Sequence, residues 1–116
     1  LGGAVLVARQ AEPGTEALCG MSRDPDYGPV LAVGLGGVAV EELQRVVLTL
    51  APVGPETARE LVAEAGIDDR DGVVAHTLSA LGRLALAHPE IESVDVNPLV
   101  VSAAGTVAVD ALVVVS

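Results

Sequence analysis

The chain of 116 residues has no Lys, no Trp and no Phe, and Tyr27 is its single aromatic residue. A core must therefore be built from Val, Leu, Ala and Ile, and the abundance of Val points to strands. The six basic residues are all Arg and stand against sixteen carboxylates, leaving a formal net charge of −10. That balance excludes a nucleic acid or an anionic membrane held by bulk charge. Cys19 is the only cysteine, so no internal disulfide can form and a reducing cytoplasm is the expected compartment. No apolar run reaches the roughly 18 residues a membrane helix needs. Leu1-Gly2-Gly3-Ala4 offers neither an initiator Met nor a basic n-region, so it does not read as a signal peptide. The expectation is a single domain over residues 1–116 that forms a fragment of a larger protein.

Turn chemistry divides the chain. Ala4 to Arg9, Thr15 to Ser22 and Pro29 to Gly34 read as strands, separated by Glu12-Pro13-Gly14 and Asp24-Pro25-Asp26. Val38 to Leu50 stays open: Val40, Leu43, Val46, Val47 and Leu50 fit a helical stripe, while Val46 to Leu50 also reads as a buried strand. Pro55 opens a helix that runs to about Ala65 and stops at Gly66. Asp71 caps a second helix reaching about Ala87, with Val74, Leu78, Leu81 and Ala85 as its apolar stripe. Ile91 to Val101 and Thr106 to Val115 form a hairpin joined by Ser102 to Gly105. The fold class is α+β, a mainly antiparallel sheet with two helices on one face.

Asp95, Asn97 and Asp110 are the candidate site. Asp95 and Asn97 are two apart on one strand and share a face. If Val101 faces Thr106 across the hairpin, counting back sets Asn97 opposite Asp110, with Cβ atoms about 5 Å apart. Hard oxygen ligands from adjacent strands suit Mg2+, which takes one or two carboxylates along with phosphate oxygens and water. The competing reading makes these residues the solvent side of a hairpin, because Asp-x-Asn is a weak pattern.

The motifs carry more information together. Asp95-Val96-Asn97-Pro98-Leu99-Val100 resembles the Asp/Glu-Ile-Asn-Pro-Leu signature of the succinyl-CoA synthetase β-chain and its acyl-CoA synthetase relatives. Arg23-Asp24-Pro25-Asp26-Tyr27-Gly28-Pro29-Val30 resembles their Arg-Asp-Pro-x-Phe-Gly-Pro-Val segment. Gly34-Leu35-Gly36-Gly37, Glu41, Leu50-Ala51-Pro52 and His88-Pro89-Glu90-Ile91 follow in the family's order. The chain thus resembles the carboxy-terminal ATP-grasp subdomain of NDP-forming acyl-CoA synthetases.

The resemblance implies an acid–thiol ligase that uses a nucleoside triphosphate to join a carboxylic acid to coenzyme A. It implies ATP, or another nucleoside triphosphate, and Mg2+ as cofactors. Metal ligation maps to Asn97 and Asp110. Glu16, in Gly14-Thr15-Glu16-Ala17-Leu18-Cys19-Gly20, maps to a cleft position, and Glu16 and Asp95 are the expected nucleotide-side residues. Coenzyme A and the acid would be met through other domains or subunits of the synthetase, with no nucleic acid and no membrane involved. Three departures stand out. The chain has no Lys to bind phosphate, Thr49 occupies a position where the family usually has Arg, and Ile67-Asp68-Asp69-Arg70 shortens a loop that is usually Arg/Gly-rich. The chain by itself is expected to be inactive, and a catalytically degenerate assembly or regulatory module is the rival reading.

Overall fold

The computed structural model describes residues 14–36 and 46–116. The expected strand Ala4 to Arg9 and the ambiguous stretch before Val46 lie outside the described residues. Within them the order is β1 (Thr15–Asp24), β2 (Gly28–Leu35), β3 (Val46–Leu50), α1 (Pro55–Glu64), α2 (Val73–Ala87), β4 (Ile91–Ser102), β5 (Gly105–Ala108) and β6 (Ala111–Val115). The strands form one sheet in the order β3-β2-β1-β4-β5, with β6 also on β4, and every pairing is antiparallel. The open choice for Val46 to Leu50 resolves as a strand, paired to β2 from Val30↔Leu50 to Gly34↔Val46.

Period-two burial explains the sheet. Ala17, Cys19 and Met21 of β1 and Leu31 and Val33 of β2 are buried on one face, with Val94, Val96, Leu99 and Val101 of β4. The helices cover this face. The expected stripe of α2 is the part that docks: Val74, Leu78, Leu81 and Ala85 are all buried. Gly82 lets the helix approach closely, since a Cβ there would lie 3.2 Å from Leu31 Cδ1 and 3.6 Å from Pro52 Cα. Ala58 and Val62 anchor α1 beside it.

Helix α1 begins at Pro55, as its sequence implies, and closes in a Schellman motif. Gly66, at φ +87°, donates to Ala63 O over 2.9 Å, and Ile67 N–H donates to Val62 O over 3.2 Å. The start of α2 departs from expectation. Gly72, at φ +74°, is the N-cap residue, and Asp71 lies one residue before it. Asp71 Oδ1 accepts from Val73 N–H at 3.1 Å, whereas Asp69 accepts from Val74 and Ala75 N–H at 3.1 and 2.9 Å. Two carboxylates therefore share the free N–H groups of this turn, and the shortened loop supplies one of them.

The far end of α2 is closed from another element. Arg23 Nη2 donates to Ala85 O at 2.9 Å and to His88 O at 3.0 Å, while its Nε donates to Ile91 O at 2.7 Å. No basic residue lies in the last turn of α2 itself. Arg23 fastens the end of α2 and the start of β4 to the end of β1. Asp24 makes the following turn, with its Oδ1 accepting from Asp26 N–H at 2.8 Å and from Tyr27 N–H at 3.0 Å. The Arg-Asp-Pro segment is therefore a structural clasp. His88 contributes its backbone to the helix end, and its Nδ1 lies 3.3 Å from Glu90 Oε2.

Candidate metal and nucleotide site

The face of the sheet away from the helices carries the candidate residues. Glu16, Asp95, Asn97 and Asp110 are all exposed. The hairpin register matches the one counted from the sequence: Val101 pairs with Thr106 and Ser102 with Gly105. The turn is tighter than expected, because the strands extend to Ser102 and Gly105 and leave Ala103-Ala104 between them. Farther along, Leu99 pairs with Ala108 and Val96 with Ala111, so Asn97-Pro98 stands opposite Val109-Asp110. Asn97 N–H donates to Asp110 O at 3.1 Å, and Val109 N–H donates to Pro98 O at 2.9 Å.

The second hairpin strand is not the continuous run from Thr106 to Val115 that its composition implies. It breaks at Val109-Asp110 into β5 and β6. The cause lies in β4. Its register on β1 shifts between Ala17 and Cys19, where Asn97 and Pro98 oppose Leu18 alone. This is a bulge, and Pro98 has no N–H to continue the ladder. The inward positions accordingly change from Val94 and Val96 to Leu99 and Val101. The bulge places Asn97 where regular pairing stops.

Glycines keep this surface open. Gly20 pairs with Asp95, and a Cβ on Gly20 would lie 3.9 Å from Asp95 Oδ1 and 3.3 Å from Val94 O. Gly36 N–H donates to Glu16 O at 2.8 Å, and a Cβ on Gly36 would lie 3.6 Å from Asn97 Oδ1 and 3.7 Å from Glu16 Cβ. Glu16 and Asn97 thus flank one glycine gap. Asp110 Oδ1 accepts from Ala111 N–H at 2.9 Å, which restrains the carboxylate beside the strand break. The strand position of Gly20 and the closeness of Gly36 to Asn97 escape a residue-by-residue reading. The available signal was glycine inside or at the end of a strand, which marks a close approach.

Among the described residues no group of three or more His, Cys, Asp or Glu is placed to hold a metal ion. Asn97 and Asp110 instead offer a pair of hard oxygen donors, and that donor set fits Mg2+, which keeps waters and phosphate oxygens for its remaining positions. His76 and His88 lie elsewhere, on α2 and at its end. The Gly34-x-Gly36 stretch closes an antiparallel strand.

Residues 3–115 match the ATP-grasp domain family. The chain is 36% identical to acetate–CoA ligase (ADP-forming) I of Archaeoglobus fulgidus over 91% of its own length and 17% of that enzyme. It is 36% identical to the β subunit of the corresponding Pyrococcus furiosus ligase, covering 92% of this chain and 51% of the subunit. The chain therefore spans about half the length of that subunit. A solved structure of a Ca. Korarchaeum cryptofilum dinucleotide-forming acetyl-coenzyme A synthetase superposes with a TM-score of 0.76 at 28% identity, covering 91% of this chain and 55% of that one. That synthetase was solved in complex with coenzyme A and Mg-AMPPCP, with its phosphohistidine segment pointing towards the nucleotide-binding site.

Proposed function

Because this chain belongs to the ATP-grasp domain family of the ADP-forming acyl-CoA synthetases, we propose that it forms the carboxy-terminal wall of a Mg-nucleotide cleft in such a ligase. The observation that carries the reading is the opposition of Asn97 and Asp110 at the β4 bulge, on the sheet face that also bears Glu16 and Asp95. Residues 1–116 would act as one subdomain, and coenzyme A and the carboxylic acid would be bound by other domains or subunits. The compartment we assign is the cytoplasm. No helix among the described residues is long and apolar enough to cross a membrane.

In this role Asn97 and Asp110 hold Mg2+ through one amide and one carboxylate oxygen. A bound Mg2+ would supply positive charge beside the nucleotide phosphates, and Asn97 and Asp110 are the residues that would hold it there. Glu16 and Asp95 border the nucleotide. The bulge and the Gly20 and Gly36 gaps set the side chains in place before ligand arrives, so positioning is the chain's main catalytic contribution. The lack of Lys supports a second reading, a degenerate module that retains the fold without turnover.

The test is the metal dependence of nucleotide binding in the full synthetase, read by electron paramagnetic resonance with Mn2+ in place of Mg2+. Asn97→Ala and Asp110→Asn should each weaken ternary Mn-nucleotide binding by about tenfold or more, as expected for loss of a metal ligand. Unchanged binding in both variants would remove the site. Weakened binding without any acyl-CoA formation by the unmodified protein would select the degenerate module.

A further inference from the structure

Four arginines lie among the described residues, and Arg23 and Arg70 are paired to carbonyl or carboxylate oxygens. Arg23 donates to two carbonyls at the end of α2 and to one at the start of β4, and Arg70 Nε lies 3.1 Å from Asp68 Oδ2. Arg59 of α1 and Arg83 of α2 have no carboxylate within ion-pair distance among the described residues. This is unexpected in a chain of net charge −10. Both arginines line one cavity of about 470 Å3 on the helical side of the molecule, together with His76, Ser79 and Asp71.

The cavity is built rather than incidental. Ser79 is buried at 4% exposure, and its hydroxyl donates to Val53 O at 2.8 Å. Arg83 Nη1 donates to that same hydroxyl oxygen at 3.0 Å, so a buried group fixes the guanidinium by one corner. The one carboxylate in the lining, Asp71, is turned in part to other elements: its Oδ1 accepts from Val73 N–H at 3.1 Å and from Thr106 Oγ1 at 2.9 Å. The basic residues of the lining are Arg59 of α1 with Arg83 and His76 of α2, all three exposed.

We propose that this cavity binds a phosphoryl anion, either inorganic phosphate or the phosphate of a small monoester, gripped by Arg59 and Arg83. Two planar forks arriving from different helices suit a tetrahedral dianion, whose oxygens accept from several directions at once. The volume falls within the range of small-molecule sites, roughly 300–1,000 Å3, and leaves room for an organic substituent beyond the phosphate. The cavity lies across the sheet from Asn97 and Asp110, so the proposal does not depend on the nucleotide site.

Calorimetric titration of the full protein with inorganic phosphate, and separately with O-phosphoserine, tests this at constant ionic strength. One component of phosphate binding should weaken by at least about tenfold in Arg59→Gln and in Arg83→Gln, the factor for losing one charge-assisted contact. The same component should persist in Asp110→Ala. Tighter binding of the ester would identify a phosphorylated small molecule as the ligand class, and equal binding would identify free phosphate. Arg59 is exposed on its helix, so a circular dichroism melt of Arg59→Gln that matches the parent keeps the comparison valid if Arg83→Gln misfolds. Phosphate binding unaltered by Arg59→Gln, no binding at millimolar phosphate, or an equal effect from chloride would overturn the proposal.

Discussion

The backbone N–H of Asn97 donates to the carbonyl of Asp110 over 3.1 Å, at the one point where β4 gains a residue over β1 and its far partner splits into β5 and β6. A paired Asn and Asp at a bulge form a position set by the backbone, so changing either side chain should leave the frame in place. We predict that Asp110→Ala changes unfolding free energy by less than about 0.5 kcal/mol, as for other exposed substitutions. If Asp110 holds the metal as proposed, turnover by the full synthetase should fall by about a hundredfold or more. Urea melts and steady-state rates on the same preparation check both halves. A large stability loss would make Asp110 structural.

The register that brings Asn97 to Asp110 was legible because it needs only a turn position and a count of two per residue pair. The stripe Val74, Leu78, Leu81 and Ala85 was equally legible, since burial against a sheet demands a continuous helical row. The bulge was not. Pro98 marks a lost donor, but whether β4 or β1 takes the extra residue depends on pairing across seventy-odd residues of chain. Asp69 was missed as a helix cap for a related reason: Gly72 takes a left-handed conformation, which displaces the helix start and turns both acidic side chains back onto its first N–H groups. The role of Arg23 was hidden because its three acceptors are backbone carbonyls, which no side-chain pattern announces.

Arg23 yields a second prediction. Two of its three charge-assisted bonds close the end of α2, where carbonyls lack helical partners, and the third holds the start of β4. Arg23→Ala should destabilise the fold by about 2–3 kcal/mol, discounted from the sum of three such bonds because one of them is solvent-exposed. Arg23→Lys should recover less than half of the loss, since a point charge cannot serve three divergent acceptors. Denaturant midpoints of the two variants measure this, and a Lys variant equal to the parent would contradict the fork argument.

The Asp71 carboxyl is held below its ordinary value of 3.8, chiefly by the Val73 N–H, against the opposing effect of desolvation and with further help from the Thr106 hydroxyl. A depressed folded value means the ionised form favours the fold. Its contribution is complete above the unfolded value and disappears as pH falls through the folded one. The stability difference between the parent and Asp71→Ala should therefore be constant from neutrality to about pH 5 and shrink below pH 4. Thermal melts across that range test it, and a difference that grows on acidification would reverse the sign of the argument.

Cys19 is buried against Val74 O, 3.9 Å from its Sγ, and burial pushes the thiol up to about 12, with the Asp69 charge adding to the effect. At pH 8 almost no thiolate is present in the folded protein, so thiol–disulfide exchange must await unfolding. Ellman's reagent should label the thiol at once in urea and only at the rate of spontaneous opening without it. Rapid labelling of the native protein would show that β1 separates from α2 far more readily than its packing implies.

The last prediction follows from where the cations lie. Among the described residues the open sheet face presents Glu16, Asp95 and Asp110 and no arginine, because Arg23 is fixed at the end of α2 and Arg59 and Arg83 line the helical side. The sequence contains no Lys at all. Phosphoryl transfer depends on fixed positive charge around the migrating group, and one metal ion between two ligands does not replace it. The 116-residue chain alone should therefore form no acyl-CoA from acid, coenzyme A and ATP above a heat-treated control, while still binding a Mn-nucleotide weakly through Asn97 and Asp110. Supplying a second polypeptide that carries the cationic half of the cleft should restore turnover, and that turnover should be lost again in Asp110→Ala. Acid-dependent and coenzyme A-dependent ATP consumption by the chain alone would show that its own arginines reach the phosphates, and would overturn the division of labour argued from the sheet.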